Sequence, residues 1–198
     1  MSGLPALSAI LSSPGNPDSP LAAALSMLFE PSAVLVEKLV PELSRSLPSQ
    51  VDSYSSLIDL SISKISSWEP RVKSAFIAAH PRIGELTNLS NLSRNEQAAK
   101  ATSLDILFRL AQLNALYERR YPGLRYITFV NGRSRAEIKD EMESKLGDYV
   151  TVMAGPGGGF DEVAAVKVGG CEWLAELDRA IGDVAKIAKG RLNALGVA

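Results

Sequence analysis

Apolar residues recur along this chain at the three-to-four-residue spacing of helices rather than in alternation. Leu4 to Leu11 makes a short first helical segment, and Ser12 to Ser19 is a loop rich in Ser, Pro and Gly. Ser19 then has the character of an N-cap, with Pro20 at the first helical position and Leu21, Leu25 and Leu28 as the apolar stripe. Ser32 restarts the pattern through Leu35, Leu39 and Leu43. Pro41 inside it predicts a kink or a division, because its ring removes a backbone N–H and crowds the preceding turn. Asp52 is the expected cap of the next helix, whose Leu57, Leu60, Ile65 and Trp68 lie mainly on one face. Pro70 opens another, continued by Val72, Phe76 and Ala79.

The second half continues in the same manner. Ser93 is expected to begin a helix that runs to about Tyr121, with Ala101, Leu104, Phe108, Ala111 and Ala115 as its apolar positions and Pro122 and Gly123 as its stop. Tyr126 to Val130 reads as a short extended segment, too isolated to form a sheet. Ser134, with Glu137 in capping-box register, starts a helix that ends near Leu146 at Gly147. Asp148 to Gly170 is the least regular stretch. The last helix runs from about Glu172 to Leu195, with Leu174, Leu177, Ile181, Val184, Ile187 and Leu192 on its apolar side. Lys186, Lys189 and Arg191 stand in its last turns, where cations complement the helix dipole. The sum is an all-α fold: one domain over residues 1–198, a bundle of about eight helices, with a Gly-rich excursion at about 148–170.

Composition adds mainly exclusions. At 198 residues the chain can bury a full core without staples, and 46% apolar with 22% charged residues is ordinary for a globular domain. A net charge of −1 gives no overall field that would favour nucleic acid or an anionic membrane. No apolar run approaches the ~20 residues of a membrane span. Cys171 is the only cysteine, so no internal disulfide forms; the expectation is a small buried apolar residue rather than a nucleophile. With one His and one Cys, no soft-metal site is expected. The run Gly155-Pro-Gly-Gly-Gly-Phe160 lacks the Lys-Ser or Lys-Thr of a phosphate loop. Met-Ser-Gly-Leu-Pro has no basic region of a secretory signal, and Leu-Gly-Val-Ala is not the Ser-Lys-Leu address. The expectation is therefore cytoplasmic rather than peroxisomal.

Candidate chemistry gathers between Phe76 and Gln97. His80 is the only side chain whose ordinary pKa lies near neutrality. It sits where Pro81 disfavours helical backbone, so its ring can face a cleft from a firmly held turn. It reads equally as a proton carrier or as a helix-terminal His bonded to backbone. Ser93-x-x-Glu96 is a capping box, which accounts for both residues without function. The same helix start could also receive an anionic ligand, with Gln97 adding a donor and an acceptor. Arg82, Arg133, Arg135 and Arg191 are candidate carboxylate clamps, each otherwise a solvated surface charge.

His80-Pro-Arg-Ile-Gly84, Ser93-Arg-Asn-Glu-Gln97, Asn114 to Tyr117, Phe129-Val-Asn-Gly-Arg-Ser-Arg135 and Lys186-Ile-Ala-Lys-Gly-Arg-Leu192 together resemble the OHCU decarboxylase family. OHCU is 2-oxo-4-hydroxy-4-carboxy-5-ureidoimidazoline, which that family converts to (S)-allantoin in urate degradation. The resemblance spans about Leu25 to Leu195. It implies an all-helical, cofactor-free homodimer acting on a small anionic substrate. His80 would be the essential acid/base with Glu96 beside it. Pro81, Ser93 and Gln97 would line the substrate. The backbone of Ile127, Thr128, Phe129 and Val130 would bond to its ring, and Arg191 would hold an anionic group. Lys145 stands where the family often has an arginine. The stretch from Tyr149 to Gly170 looks longer than in most members, as a solvated insertion before a lid. The alternative is a non-catalytic helical binding or scaffold protein on the same fold.

Overall fold

The computed structural model describes residues 3–47, 51–85, 102–150 and 163–197. Helix starts are set largely by serine hydroxyls. After the short α1 (Leu7–Leu11), the Ser19 hydroxyl accepts from the Ala22 N–H at 3.2 Å and Pro20 takes the first position of α2 (Pro20–Leu28). Leu21, Leu25 and Leu28 are fully buried. The division expected at Pro41 is present. Leu35–Leu39 forms a π-helical turn and Val40–Ser44 continues as α3. A wider turn just ahead of the proline gives room to a ring that cannot donate.

α4 (Tyr54–Ser66) is capped by Ser53 and not by Asp52. Ser53 accepts from the Ser56 N–H at 3.1 Å, and the Ser56 hydroxyl accepts from the Ser53 N–H at 3.0 Å. Ser56 thus closes a reciprocal box that fits Ser53 alone, and the Asp52 carboxylate accepts from the Ser53 hydroxyl instead. α5 (Pro70–Ala78) starts at Pro70 and leads to His80. α6 spans Leu104–Arg120, and here the helix expected to run unbroken from Ser93 is corrected. Ser103 is extended (φ −64°, ψ 151°) and caps the helix by accepting from Ile106. Ser93 and Ala101 lie outside the described residues.

The expected stripe of α6 is also reversed. Leu104 and Phe108 are 82% and 68% exposed, and Ala111 and Ala115 are exposed too. The buried face is Leu110, Leu113, Asn114, Leu116 and Tyr117. The helix carries apolar residues on two faces, and spacing alone does not say which one meets the core. α7 (Arg135–Leu146) has the expected Ser134–Glu137 capping box and Gly147 at its end, and it packs on α6. α8 (Cys171–Leu195) is the longest described helix and packs against α2, α4 and α5. Cys171 is exposed at its first residue rather than buried, and Trp173, two residues on, takes the core-facing position of that turn.

The observed architecture is all-α, with Leu124 to Val130 an unpaired extended segment between α6 and α7. That segment meets α8 through the Arg179–Ile127 hydrogen bond and the Phe129 ring against Gly190. Among the described residues no helix is long and apolar enough to cross a membrane.

Candidate active site

His80 follows α5 and is 5% exposed. Its Nδ1 lies 3.1 Å from the Phe76 carbonyl, which can only accept, so Nδ1 carries the proton. The Phe76 ring stands edge-on, 5.1 Å from the imidazole. Nε2 is then an open lone pair, with no hydrogen-bond partner among the described residues. Burial holds the imidazole well below its ordinary range, down to about 4. Glu30 and the Phe76 carbonyl pull the other way, and Arg191 adds to the depression. At neutral pH His80 is therefore a neutral base.

The turn that carries His80 is fixed from several sides. The Arg125 guanidinium donates to the His80 carbonyl. Asn114 Nδ2 donates to the Ile83 carbonyl at 2.9 Å, holding the loop after Pro81 against α6. Gly84 has φ +81°, a left-handed turn that a side chain would strain. Arg82 makes a two-point fork with Glu118, at 2.7 and 2.9 Å.

His80 opens onto a cavity of about 380 Å³, a size suited to a small-molecule ligand. Pro81 and Ile83 line it on the His80 side, and Tyr126 to Asn131 form the facing wall. The carbonyls of that extended segment are drawn aside by guanidinium groups. Arg179 donates to Ile127 at 2.9 Å, and Arg133 donates to Val130 at 3.1 Å and to Phe129. Arg133 is itself anchored on Glu141, which also accepts from Tyr126 and Thr128. The N–H groups of Ile127, Thr128, Phe129 and Val130 make no backbone hydrogen bond among the described residues. Gly190 on α8 lets the Phe129 ring close in, since a Cβ there would stand 3.0 Å from it.

α8 supplies the remaining wall through Ile187, Gly190, Arg191, Asn193 and Ala194. Arg191 is 3% exposed. Its Nη1 donates to the carbonyls of Met27, Leu28 and Phe29 at 3.2–3.3 Å, and its Nη2 to Glu30 at 2.6 Å. It therefore complements the carbonyl end of α2 rather than that of its own helix.

The family model of OHCU decarboxylase matches residues 16–152, well over half of the chain. The chain belongs to the OHCU decarboxylase family. It is a carboxy-lyase, and its family acts in urate degradation. A search of curated proteins finds no match.

The OHCU decarboxylase match ends before α8, yet α8 closes the cavity. Of the residues singled out in the sequence, the fold brings His80, Pro81, Ile127, Thr128, Phe129, Val130 and Arg191 to one cavity. Ser93, Glu96 and Gln97, and residues 151–162 of the stretch expected as a solvated insertion rather than a lid, lie outside the described residues. Three of the four candidate clamps are engaged elsewhere: Arg82 on Glu118, Arg133 on Glu141, and Arg135 on Thr102 at 3.0 Å. Lys186 pairs with Asp183 and Lys189 with Asp59. Lys145 pairs with Glu176 at 2.6 Å, a structural cation behind the cavity wall. Glu30 is the functional candidate that the sequence reading missed. The available signal was an acid directly after the apolar run Leu28-Phe29, just past a helix without charge. Among the described residues no cluster of three or more His, Cys, Asp or Glu could hold a metal ion.

Proposed function

We propose that this decarboxylase acts on 2-oxo-4-hydroxy-4-carboxy-5-ureidoimidazoline and releases (S)-allantoin. The observation that carries the reading is His80: a neutral, buried imidazole in the wall of a small-molecule-sized cavity, its Nε2 without a hydrogen-bond partner among the described residues. Loss of carbon dioxide breaks the bond between the carboxylate and the hydroxyl-bearing carbon. The electron pair moves towards the adjacent C=N bond, whose nitrogen takes the charge, so the substrate is its own electron sink. The hydroxyl proton passes to Nε2 of His80, and the ring nitrogen takes up a proton from solvent. A second proton reaches the ureido-bearing carbon as the hydroxyl oxygen becomes the ketone. The imidazolium gives up its proton in turn, so one proton is consumed overall. Protonation on one ring face sets the S configuration. The protein's part is positioning and proton transfer. The same reading takes the enzyme to be a cofactor-free homodimer, with Arg191 fixing an anionic group of the substrate and Glu96 orienting His80.

The test is circular dichroism during coupled urate breakdown, with urate oxidase and hydroxyisourate hydrolase generating the substrate in place. Wild type should bring up the (S)-allantoin signal rapidly, and His80→Ala should be slower by about 10²–10⁴-fold, the usual worth of a positioned acid or base. Equal rates for both would remove His80 from the reaction. No acceleration by folded wild type would overturn the substrate assignment and favour the binding-protein alternative.

A further inference from the structure

Glu30 follows α2 with a side chain only 6% exposed, and it lines the same cavity as His80. A buried carboxylate is costly unless it is paired, and Arg191 pairs it at 2.6 Å. Arg191 is in turn held by the last carbonyls of α2, so it cannot swing away from Glu30 without breaking several bonds. A pair that only tied α8 to α2 could stand anywhere along their contact. This one stands in the wall that faces the proton-accepting ring.

We infer that Glu30 is a positioning residue of the reaction: fixed by Arg191, its carboxylate is the counter-charge for the imidazolium that His80 becomes on taking the substrate's hydroxyl proton. The role rests on His80 acting as the base. No bond to substrate is required of Glu30; it acts through His80. The proton moves from the substrate hydroxyl to Nε2, and the new positive charge appears beside a carboxylate already in place, so nothing reorganises during the step. Burial alone would make imidazolium formation prohibitive, and Glu30 is the foremost opposing influence on the ring. Among the described residues no other charged group around it replaces Glu30; Glu96, which the proposed function has orienting His80, lies outside them. Arg191 carries the wrong sign, Arg125 is bound to the His80 carbonyl, and on its own loop Arg82 is engaged with Glu118 while Glu85 accepts from the Arg82 backbone.

Because His80 is the only histidine, its titration can be followed by NMR of histidine-labelled protein without assignment. We expect Glu30→Gln to lower the proton affinity of His80 and to lower kcat by roughly tenfold or more, the equivalent of about one pKa unit. The acid limb of the rate profile should move down with it, and Glu30→Asp should restore part of both. A merely structural Glu30 would change stability but leave the His80 titration where it is. Should Glu30→Gln not fold, the double variant Glu30→Gln/Arg191→Gln leaves no buried charge alone, and its His80 should still titrate below wild type. A titration unchanged in whichever variant folds overturns the inference. The NMR reading holds even if the substrate assignment fails, so the two failures are distinguishable.

Discussion

Two buried carboxylates, Glu30 and Glu176, hold this molecule together in different ways. Each is 5% exposed, and each is paired with an arginine on α8. Glu176 is enclosed by donors. Oε1 accepts from Tyr117 at 2.7 Å and from Arg179 at 2.8 Å, and Oε2 accepts from Lys145 at 2.6 Å and from Arg179 at 3.0 Å. Burial would raise its pKa, but the bonds from Arg179, Lys145 and Tyr117 outweigh it and hold the carboxyl below its ordinary range. Glu30 has its arginine and a cavity shared with an imidazole whose Nε2 has no partner among the described residues. A saturated network stabilises and rigidifies, whereas a buried group left open is a cost that a fold bears where chemistry needs it. The two sites are joined, because Arg179 spends one N–H on the Ile127 carbonyl and so sets the wall opposite His80.

Glu176→Gln separates the two sites most strongly. It strips Arg179 and Lys145 of their shared anion, and removing one partner of a buried pair costs about 3–5 kcal/mol. Arg179 keeps Asp183 at 2.7 Å, which places the expectation at the lower end, about 3 kcal/mol by urea unfolding. The His80 titration should be unmoved. A variant of unchanged stability would show that the network is not what secures the wall.

The difference between these two sites explains what could be read from the chain. Ser19, Ser134 and Pro41 act through neighbours within four residues, and their roles were legible. Asp52 and Ser53 are both good caps, and only Ser56 decides between them. On α6 the residues Leu104, Phe108, Ala111 and Ala115 have helical spacing and yet face outward. Periodicity reports an apolar face, not what lies against it. Glu30 was harder to read for the same reason at longer range, its position after an apolar run being the one local sign. After an apolar helix and before Pro31 it looks like a solvated helix end, and its burial depends on an arginine far along the chain. Arg191 emerged from family resemblance, whereas spacing could not choose among four arginines.

A second prediction, similar in size, concerns acid. The folded pKa of His80 is about 4, against an ordinary 6.5 in the unfolded chain. Between those values the unfolded state binds the extra proton, so stability rises with pH across the window and is lost as pH falls from 6.5 towards 4. The full depression corresponds to about 3 kcal/mol. Denaturant unfolding of wild type and His80→Gln at pH 7 and pH 4.5 should show the variant losing less on acidification. Glu176 also loses stability in acid, but only as pH falls below the ordinary carboxylate range, since its folded pKa is depressed. The two contributions therefore separate by pH, with His80 above and Glu176 below. Equal acid sensitivity of variant and wild type down to pH 4.5 would mean that the imidazole is not protected from protonation.

The smallest expected effect tests whether the saturated network is purely structural. Tyr117 is fully buried, and its hydroxyl donates to Glu176. Burial and the neighbouring carboxylate push its pKa upward, so it is neutral at any working pH. Tyr117→Phe removes one donor and leaves no new group unsatisfied, because Oε1 of Glu176 keeps Arg179. The loss should be about 1.5 kcal/mol, at the modest end for a hydrogen bond to a charged group. The tilted stack on Tyr121, with centroids 5.0 Å apart, needs only the ring and should survive. Turnover should stay within about threefold of wild type if the network acts on the site only by holding Arg179 against Ile127. A fall in kcat much larger than the loss of stability would mean that small shifts in the network reach the cavity wall. The saturated side of the molecule would then be part of the machinery that positions the substrate.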